Sequence, residues 1–448
     1  MKIQKLFILL IVTIFFSTGC SINTTSLNSK SIIKSGNDIN FFVTTDIHYL
    51  SKDLTDGGEA FKSYVNGGDG KQLDYIDEIV SAFTSDIKNK KPEFLIISGD
   101  LTNNGEERSH LDLAKKLKKI EELGTSVYVI PGNHDILNPY ARRFKGSDQY
   151  TTNFITEKEF AKIYNEFGYD ESILRDKTTL SYLAAPSEDV WLLMLDTAQY
   201  NNNIKNKTPQ LDGMISSETF EWIKKCSNLA KKKGAQIVTV MHHNIIDHSD
   251  VIREGFTLNN NEIALETFQS LGLNLFLSGH IHIQDISSYK INNTVMYDIV
   301  TESLGIYPQQ YGVFNYSPSG GFDYSTSKVD VEAWASETGN TDKDLNNFKE
   351  YSKTFFGNLA YSKSYYNLLG LAKYSDEEVE MMAKTMRDLN LRYFSGTENL
   401  NNEDIIKSKG FSLLEASASD FFNRYALSII RDNDLADTEL HILNASRK

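Results

Sequence analysis

Five short apolar runs in this chain each stop on a polar cluster, and no other feature constrains its fold as much. FFVTT (41–45) ends on Asp46-Ile47-His48, FLIIS (94–98) on Gly99-Asp100, and SVYVIP (126–131) on Gly132-Asn133-His134-Asp135. QIVTVM (236–241) is followed by His242-His243, and NLFLS (274–278) by Gly279-His280-Ile281-His282. Residues 73–87, 110–123, 217–232 and 261–271 carry helical spacing between these runs, and residues 190–195, 295–300 and 311–316 supply further strands. Strands alternating with helices predict an α/β fold with largely parallel pairing. Sites in such folds lie beyond the carboxyl ends of the strands, so the five clusters are expected to share one cleft. Residues two apart on an extended chain point to the same side. By that reasoning Asp46 and His48 leave the end of their strand toward a common point.

Seven nitrogen and oxygen donors are gathered in this way: Asp46, His48, Asp100, Asn133, His242, His280 and His282. No thiolate is among them. A mixed imidazole and carboxylate shell suits Mn²⁺, Fe or Zn²⁺. With 448 residues, 40% of them hydrophobic, the chain is globular and long enough for two or three domains. Its net charge of −14 argues against holding a nucleic-acid polymer by phosphate neutralisation. A small phosphate ester stays compatible, because bound cations reverse the local field.

In chain order the clusters read D-x-H, G-D-x(4)-G, G-N-H-D, a later His, and G-H-x-H. This series resembles the signature of the calcineurin-like metallophosphoesterase superfamily, and most closely its bacterial cyclic-nucleotide phosphodiesterase type. The resemblance implies an α/β fold: a β-sandwich of two mixed sheets flanked by helices, with two metal ions at one edge. It assigns Asp46, His48 and His282 to one metal and Asn133, His242 and His280 to the other, with Asp100 bridging both. Such a pair clamps a phosphoryl group and activates a bridging hydroxide for in-line attack. His134 is implied to stand beside the leaving group, as its proton donor or charge stabiliser, and not to ligate.

The remaining polar residues of these segments have quieter readings. Asp135 reads as an acid that fixes its loop, Asp196 as structural, and His243 as a support for its neighbouring ligand or a contact for substrate. Gly99, Gly132 and Gly279 each precede a ligand, where the chain has to turn beside the metals. Substrate choice is expected in the loops 50–72 and 136–182; in the second, Arg142 and Arg143 either bind phosphate oxygens or form a solvated basic turn. His110 and His441 read as surface residues, His248 as part of a solvated loop with the cleft as the alternative, and Cys226 as packing.

Residues 1–19 read as a signal peptide. Lys2 and Lys5 precede an apolar run from Leu6 to Phe16, shorter than the about 20 residues a spanning helix needs. Ser17-Thr18-Gly19 before Cys20 resembles the lipobox of bacterial lipoproteins, which implies a lipid on Cys20 and a membrane-anchored, extracytoplasmic protein. Plain secretion or a retained short anchor is the alternative. Residues 20–37, rich in Ser, Asn and Lys, read as a tether. Cys226 is the only other cysteine, so a lipid on Cys20 leaves no intrachain disulfide.

Residues 38–340 form the expected catalytic domain, with 322–334 as a last hairpin arm, and 341–448 the expected small helical domain. In the latter, Ser375 and Glu378 form a capping-box pattern ahead of Val379, Met382, Met386, Leu389 and Tyr393 at helical spacing, with Gly396 as a stop. That spacing points to a domain that braces the catalytic part or narrows its cleft. The function expected from the whole is dinuclear, metal-dependent phosphodiester hydrolysis, with 3′,5′-cyclic nucleotides the first substrates to test. The alternatives are a phosphomonoesterase or broad phosphodiesterase of the same superfamily, and a lipid-anchored binding scaffold.

Overall fold

The computed structural model describes residues 31–444 apart from 293, 399, 401, 418, 433 and 434. The segment read as a signal peptide, Cys20, and the expected tether as far as residue 30 lie outside the described residues. The strands in chain order are β1 (Ile39–Thr44), β2 (Phe94–Ile97), β3 (Ser126–Val129), β4 (Arg142–Lys145), β5 (Asp148–Thr151), β6 (Leu174–Arg175), β7 (Tyr182–Ala184) and β8 (Val190–Leu195). They continue with β9 (Gln236–Met241), β10 (Leu275–Ser278), β11 (Asp285–Ile291), β12 (Thr294–Val300), β13 (Gln310–Ser317), β14 (Gly321–Lys328) and β15 (Glu439–Ile442).

Two mixed sheets result, in the orders β15-β14-β13-β1-β2-β3 and β11-β12-β10-β9-β8-β7-β6, with β4-β5 as a separate hairpin. The strands that carry the polar clusters pair with one another in parallel: β1 with β2, β2 with β3, and β9 with β10. Aromatic stacking sets the register at the centre of the first sheet. Phe41 lies between Phe94 and Phe314, with ring centroids 4.6 and 4.7 Å away.

The period of two along β8 explains the layering. Val190, Leu192 and Met194 join the core that β1 and β2 also fill, whereas Trp191, Leu193 and Leu195 join a second core. That second core holds Ile223 and Cys226 of the helix Ser217–Lys233 and Phe268 of the helix Asn261–Leu271. On the other side, the helices Ile76–Lys90 and Glu107–Glu122 bring Ile79, Phe83, Leu113 and Leu117 onto the first core. Cys226 is a packing residue, and burial pushes its thiol up to about 12.

After β14 the chain turns helical earlier than its alternation suggests. Asp330 caps the helix Val331–Glu337, so only 322–328 of the expected hairpin arm is strand. The helices Phe348–Gly370 and Asp376–Tyr393 follow, and the capping box between Ser375 and Glu378 is formed in both directions. Val379, Met382, Met386, Leu389 and Tyr393 are all buried in one cluster, which also takes in Ile281 and Ile283 beside β11.

Two segments depart from the sequence reading. β15 pairs antiparallel with β14, so the helical region closes by returning to the first sheet. At the other end of the tether, residues 33–36 are pinned. Ile33 bridges Ser187, and Asp189 accepts hydrogen bonds from Ser35 Oγ and Gly36 N at 2.8 Å each. Among the described residues, no helix is long and apolar enough to cross a membrane.

Candidate metal centre

All seven predicted donors come together at the shared edge of the two sheets, beyond the carboxyl ends of β1, β2, β3, β9 and β10. Asp46, His48, Asp100 and His282 form one group able to hold a cation, and Asp100, His242 and His280 form a second. Asn133 joins the second through its Oδ1, 3.1 Å from His242 Nε2. Asp100 belongs to both. Its Oδ2 lies 3.4 Å from His242 Nε2 and 3.8 Å from His48 Nε2.

The backbone that gathers them is not extended. β1 ends at Thr44, and Asp46 and His48 adopt φ of 49° and 48°. The two-residue period of a strand therefore does not bring them together, as the sequence suggests. Two left-handed residues do, held by Asp46 N–H donating to Gly99 O and His48 N–H to Asp100 O, each at 3.0 Å. Asp100, His280 and His282 are left-handed too, at 47°, 74° and 63°. Non-glycine residues there cost roughly 1–3 kcal/mol each. The glycines serve close approach as much as turning. A Cβ on Gly99, itself at φ +106°, would meet His242 Nδ1 at 2.5 Å, and one on Gly279 would meet Thr45 Oγ1 at 2.1 Å.

Outer hydrogen bonds fix which ring nitrogen each histidine turns inward. His242 gives Nδ1 to Ser98 O at 2.9 Å and keeps Nε2 for the centre. His280 does the reverse, with Nε2 at 3.0 Å from Gly255 O, so Nδ1 is its free donor. His48 and His282 bring their Nε2 atoms to 3.0 Å of each other, and His282 Nε2 lies 3.2 Å from Asp46 Oδ1. Asp46 Oδ1 and Asp100 Oδ2 are buried with no hydrogen-bond partner. Orphaned oxygens facing lone-pair nitrogens are what metal ions satisfy, so the residues fit a pair of ions.

The electrostatics agree. Burial alone would raise the Asp46 and Asp100 carboxyls, but His282 and His242 beside Asp46, and His242 and His134 beside Asp100, hold both well below the usual range. Burial would lower the His242 imidazole, yet Asp100 and Asp46 lift it to about 9. A field that draws a proton here draws a cation as well.

His134 is the most open imidazole of the group, with 24% of its side chain exposed, and its Nε2 stands 3.9 Å from Asp100 Oδ2. Nδ1 is 2.7 Å from Asn103 O, so Nε2 is the atom turned to the centre. Asp135 accepts from Leu101 N, Thr102 N and Gly132 N and fixes the loops around Asp100 and Asn133. His243 is buried between Thr197 Oγ1 and Leu211 O, and Asp196 accepts from Leu180 N and Tyr200 Oη.

Two cavities open on the centre, and both reach Asp69 and His134. One, of 530 Å³, runs beneath the helical region past Phe256, Phe356, Phe394, Phe421 and Tyr425. The other, of 380 Å³, brings Lys71, Asn103, Asn104, Tyr64 and Arg142 to its lining. Arg142 lines this second cavity, although its Nη1 also donates to Pro139 O and Ala141 O at 2.9 Å each. Arg143 does not line either cavity, and its guanidinium lies over the Tyr150 ring, 5.2 Å from the centroid.

Lys71 and Asp69 are functional candidates the sequence reading missed. Lys71 Nζ sits 3.1 Å from Asp69 Oδ2. Burial works to lower the ammonium, but Asp69, Tyr64 and Asp100 outweigh it and the net shift is upward. The signal available was weak: a lone lysine at the end of a loop already suspected of choosing substrate.

Two histidines correct the surface readings. His110 is fully buried, bonded to Tyr164 Oη at 2.8 Å and Asp135 O at 2.9 Å. It shares a helix face with Leu113, Leu117 and Ile120, a spacing that does announce burial. His248 is buried as well, with Nδ1 hydrogen-bonded to Asp285 and Nε2 3.3 Å from Asp298 Oδ2. Burial would lower its imidazole, but Asp285 and Asp298 raise it to about 10. A folded value above the ordinary 6.5 contributes stability that is complete below 6.5 and is lost as pH rises toward 10. In chelator, the urea midpoint of the native chain is expected to fall more steeply from pH 7 to 10 than that of His248→Gln; parallel curves would show that His248 carries no such proton. His441 is half exposed on β15, 2.6 Å from Asp323.

Comparison with known proteins gives two family matches. The model described as calcineurin-like phosphoesterase matches residues 39–284, and that described as the C-terminal domain of cyclic nucleotide phosphodiesterase matches residues 330–436. No curated protein matches the chain. Among solved structures, a dimetal phosphatase from Danio rerio is 12% identical with a TM-score of 0.44, covering 64% of this chain and 95% of its own. A putative 5′-nucleotidase from Staphylococcus aureus is 14% identical with a TM-score of 0.39, covering 71% and 58%. GAP50 of Plasmodium, an anchor in the inner membrane complex, is 13% identical with a TM-score of 0.36, covering 65% and 85%.

Proposed function

Because this chain belongs to the calcineurin-like phosphoesterase family, we propose that it is a dinuclear metal-dependent phosphodiesterase, with 3′,5′-cyclic nucleotides as its first candidate substrates. Asp46, His48 and His282 would hold one ion, Asn133, His242 and His280 the other, and Asp100 would serve both. The donors suit Mn²⁺, Fe or Zn²⁺. Ions there supply a clamp on the phosphoryl oxygens and activation of the attacking water.

The observation that carries the diester reading is the pair of cavities meeting at His134. An acyclic phosphodiester has a substituent on each side of phosphorus, and a chamber lies on each side of this junction; a cyclic nucleotide, whose two ester oxygens belong to one ribose, would place its base in the aromatic chamber alone. The family match of residues 330–436 supports the same reading, because the helices it covers build the aromatic wall. A planar base stacks there, where Phe421 and Tyr425 lie nearly parallel at 5.6 Å. His134 Nε2 serves the departing alkoxide, and Lys71 with Arg142 holds charge in the smaller chamber. Those two cations also favour the second reading, a phosphomonoesterase, whose substrate is a dianion.

Stacking on an aromatic ring is worth about 1–3 kcal/mol per base. Phe421→Ala is therefore expected to raise KM for a cyclic purine nucleotide about tenfold and to leave KM for bis-p-nitrophenyl phosphate nearly unchanged. Equal effects on both would remove the base from that wall.

The direct test compares bis-p-nitrophenyl phosphate with p-nitrophenyl phosphate, using chain without residues 1–20, with Mn²⁺ and with chelator. Metal-dependent cleavage of the diester well above the monoester supports the proposal. Preference for the monoester replaces it with a phosphatase, and failure to hold metal revives the scaffold. The proposal extends to placement: the N-terminal apolar run and Cys20 support a lipid anchor outside the cytoplasm, checked by the mass of the mature N-terminal peptide.

A further inference from the structure

Some 37 residues beyond His248 in sequence, a second concentration of buried charge lies outside the catalytic clusters. Asp285 opens β11 and takes hydrogen bonds from His248 Nδ1 and, at 3.1 Å, from Ser287 Oγ. The other nitrogen of His248 faces Asp298, whose Oδ2 also accepts from Ile245 N at 2.8 Å and Ile246 N at 3.2 Å. One imidazolium is thus spread over two carboxylates.

Two more acids then approach Asp285 from the helical region and from the segment before β15. Oxygens of Asp285, Glu398 and Asp437 all lie within 4.8 Å of one another, and all three residues are about 1% exposed. Asp437 Oδ1 accepts from Ile286 N at 3.2 Å. Glu398 has nothing comparable. Both of its carboxylate oxygens are buried without a hydrogen-bond partner. Burial first, then the neighbouring acids Asp437, Asp285 and Asp432, push its carboxyl well above the usual range. An unpartnered carboxylate aimed into a group of acids is a costly arrangement unless something positive is shared there.

We propose that Asp285, Glu398 and Asp437 bind a hard divalent cation, Ca²⁺ first, at the seam between the sheet and the helical region and apart from the catalytic clusters. The donors are oxygens only, which selects Ca²⁺ or Mg²⁺ over the softer ions. Calcium holds oxygens at 2.3–2.6 Å, so two oxygens on one ion are at most about 5 Å apart, and this group falls inside that limit. A 260 Å³ cavity lies one side chain away: His248 and Ser287, which hydrogen-bond Asp285, are part of its lining.

The placement gives the ion a role. Its three ligands come from β11, from the loop after the helix Asp376–Tyr393, and from the approach to β15. The backbone is tightly packed there: a Cβ on Gly396 would meet Gln284 Cγ at 2.7 Å and Asp437 Cβ at 3.1 Å. A cation at this point clips the helical region, which forms the aromatic chamber, onto the catalytic sheet.

The test uses the full chain with its catalytic clusters loaded with Mn²⁺, followed by dialysis against Ca²⁺ and counting of both metals. One Ca²⁺ per chain is expected, with an unfolding midpoint that rises with Ca²⁺ concentration. Glu398→Gln is expected to weaken calcium binding at least tenfold and abolish that rise, with Mn²⁺-dependent diester hydrolysis within twofold of the native chain. Asp437→Asn gives the same comparison if the first variant does not fold. No calcium beyond the Mn²⁺ sites, or calcium held equally by the variants, overturns the proposal and leaves the acids holding protons. An equal rise with Mg²⁺ overturns the choice of calcium.

Discussion

Asp100→Asn is expected to lose bound metal and hydrolysis together. The substitution keeps the shape of the side chain and the hydrogen bond that His134 N–H donates to Oδ1 at 2.8 Å. It changes the other oxygen, the unpartnered Oδ2 placed between His242 and His48, into an amide nitrogen with no lone pair to offer. Partners that merely orient ligands cost 10–100-fold when removed, so a donor shared by both clusters should cost more than about 100-fold in kcat/KM. Metal content and rate are to be measured on the same preparation. At neutral pH the metal-free variant should be less stable than the metal-free native chain, because the substitution removes the carboxylate that pairs with His242 and leaves that imidazole buried without it. Retention of two ions with near-native rate would show that Asp100 does not join the clusters.

His134→Ala is expected to separate what Asp100→Asn destroys together. Its Nδ1 is engaged by the Asn103 carbonyl and its Nε2 faces the junction of the two cavities, without being needed to complete either donor group. Metal content should stay native while kcat falls about 10²–10⁴-fold, the usual range for a lost proton donor. The loss should be largest for esters of aliphatic alcohols, which leave as strong bases, and small for p-nitrophenolate, which leaves unaided. Loss of metal, or an equal loss for both leaving groups, would falsify the assignment.

Much of the site was legible because its donors are close in type and sit at recognisable strand ends. Asp46, His48, Asp100, Asn133, His242, His280 and His282 each follow an apolar run, and the fold brings them to one edge. The helix from Asp376 was legible for a similar reason: its cap and its apolar spacing are local. What stayed hidden depends on distant chain. Asp298 and Asp285 lie far along the sequence from His248, so the loop IIDHSD reads as solvated until the sheet closes around it. β15 is four residues long, too short for a period to show, and exists because β14 offers it an edge. His110 is different. Its burial was readable from the helix face it shares with Leu113 and Leu117.

The left-handed backbone at five of the seven donors bears on protein engineering. A strand of a host protein given an Asp and a His two residues apart would carry the letters and not the shape. The host would present the two side chains roughly parallel, and the site would stay open. The transplantable unit is the pair of segments 45–49 and 99–101, which shape each other through the hydrogen bonds from Asp46, His48 and Tyr49. Anyone building a dinuclear centre from this protein should move that pair as one block, with Gly99, and choose the ligands afterwards.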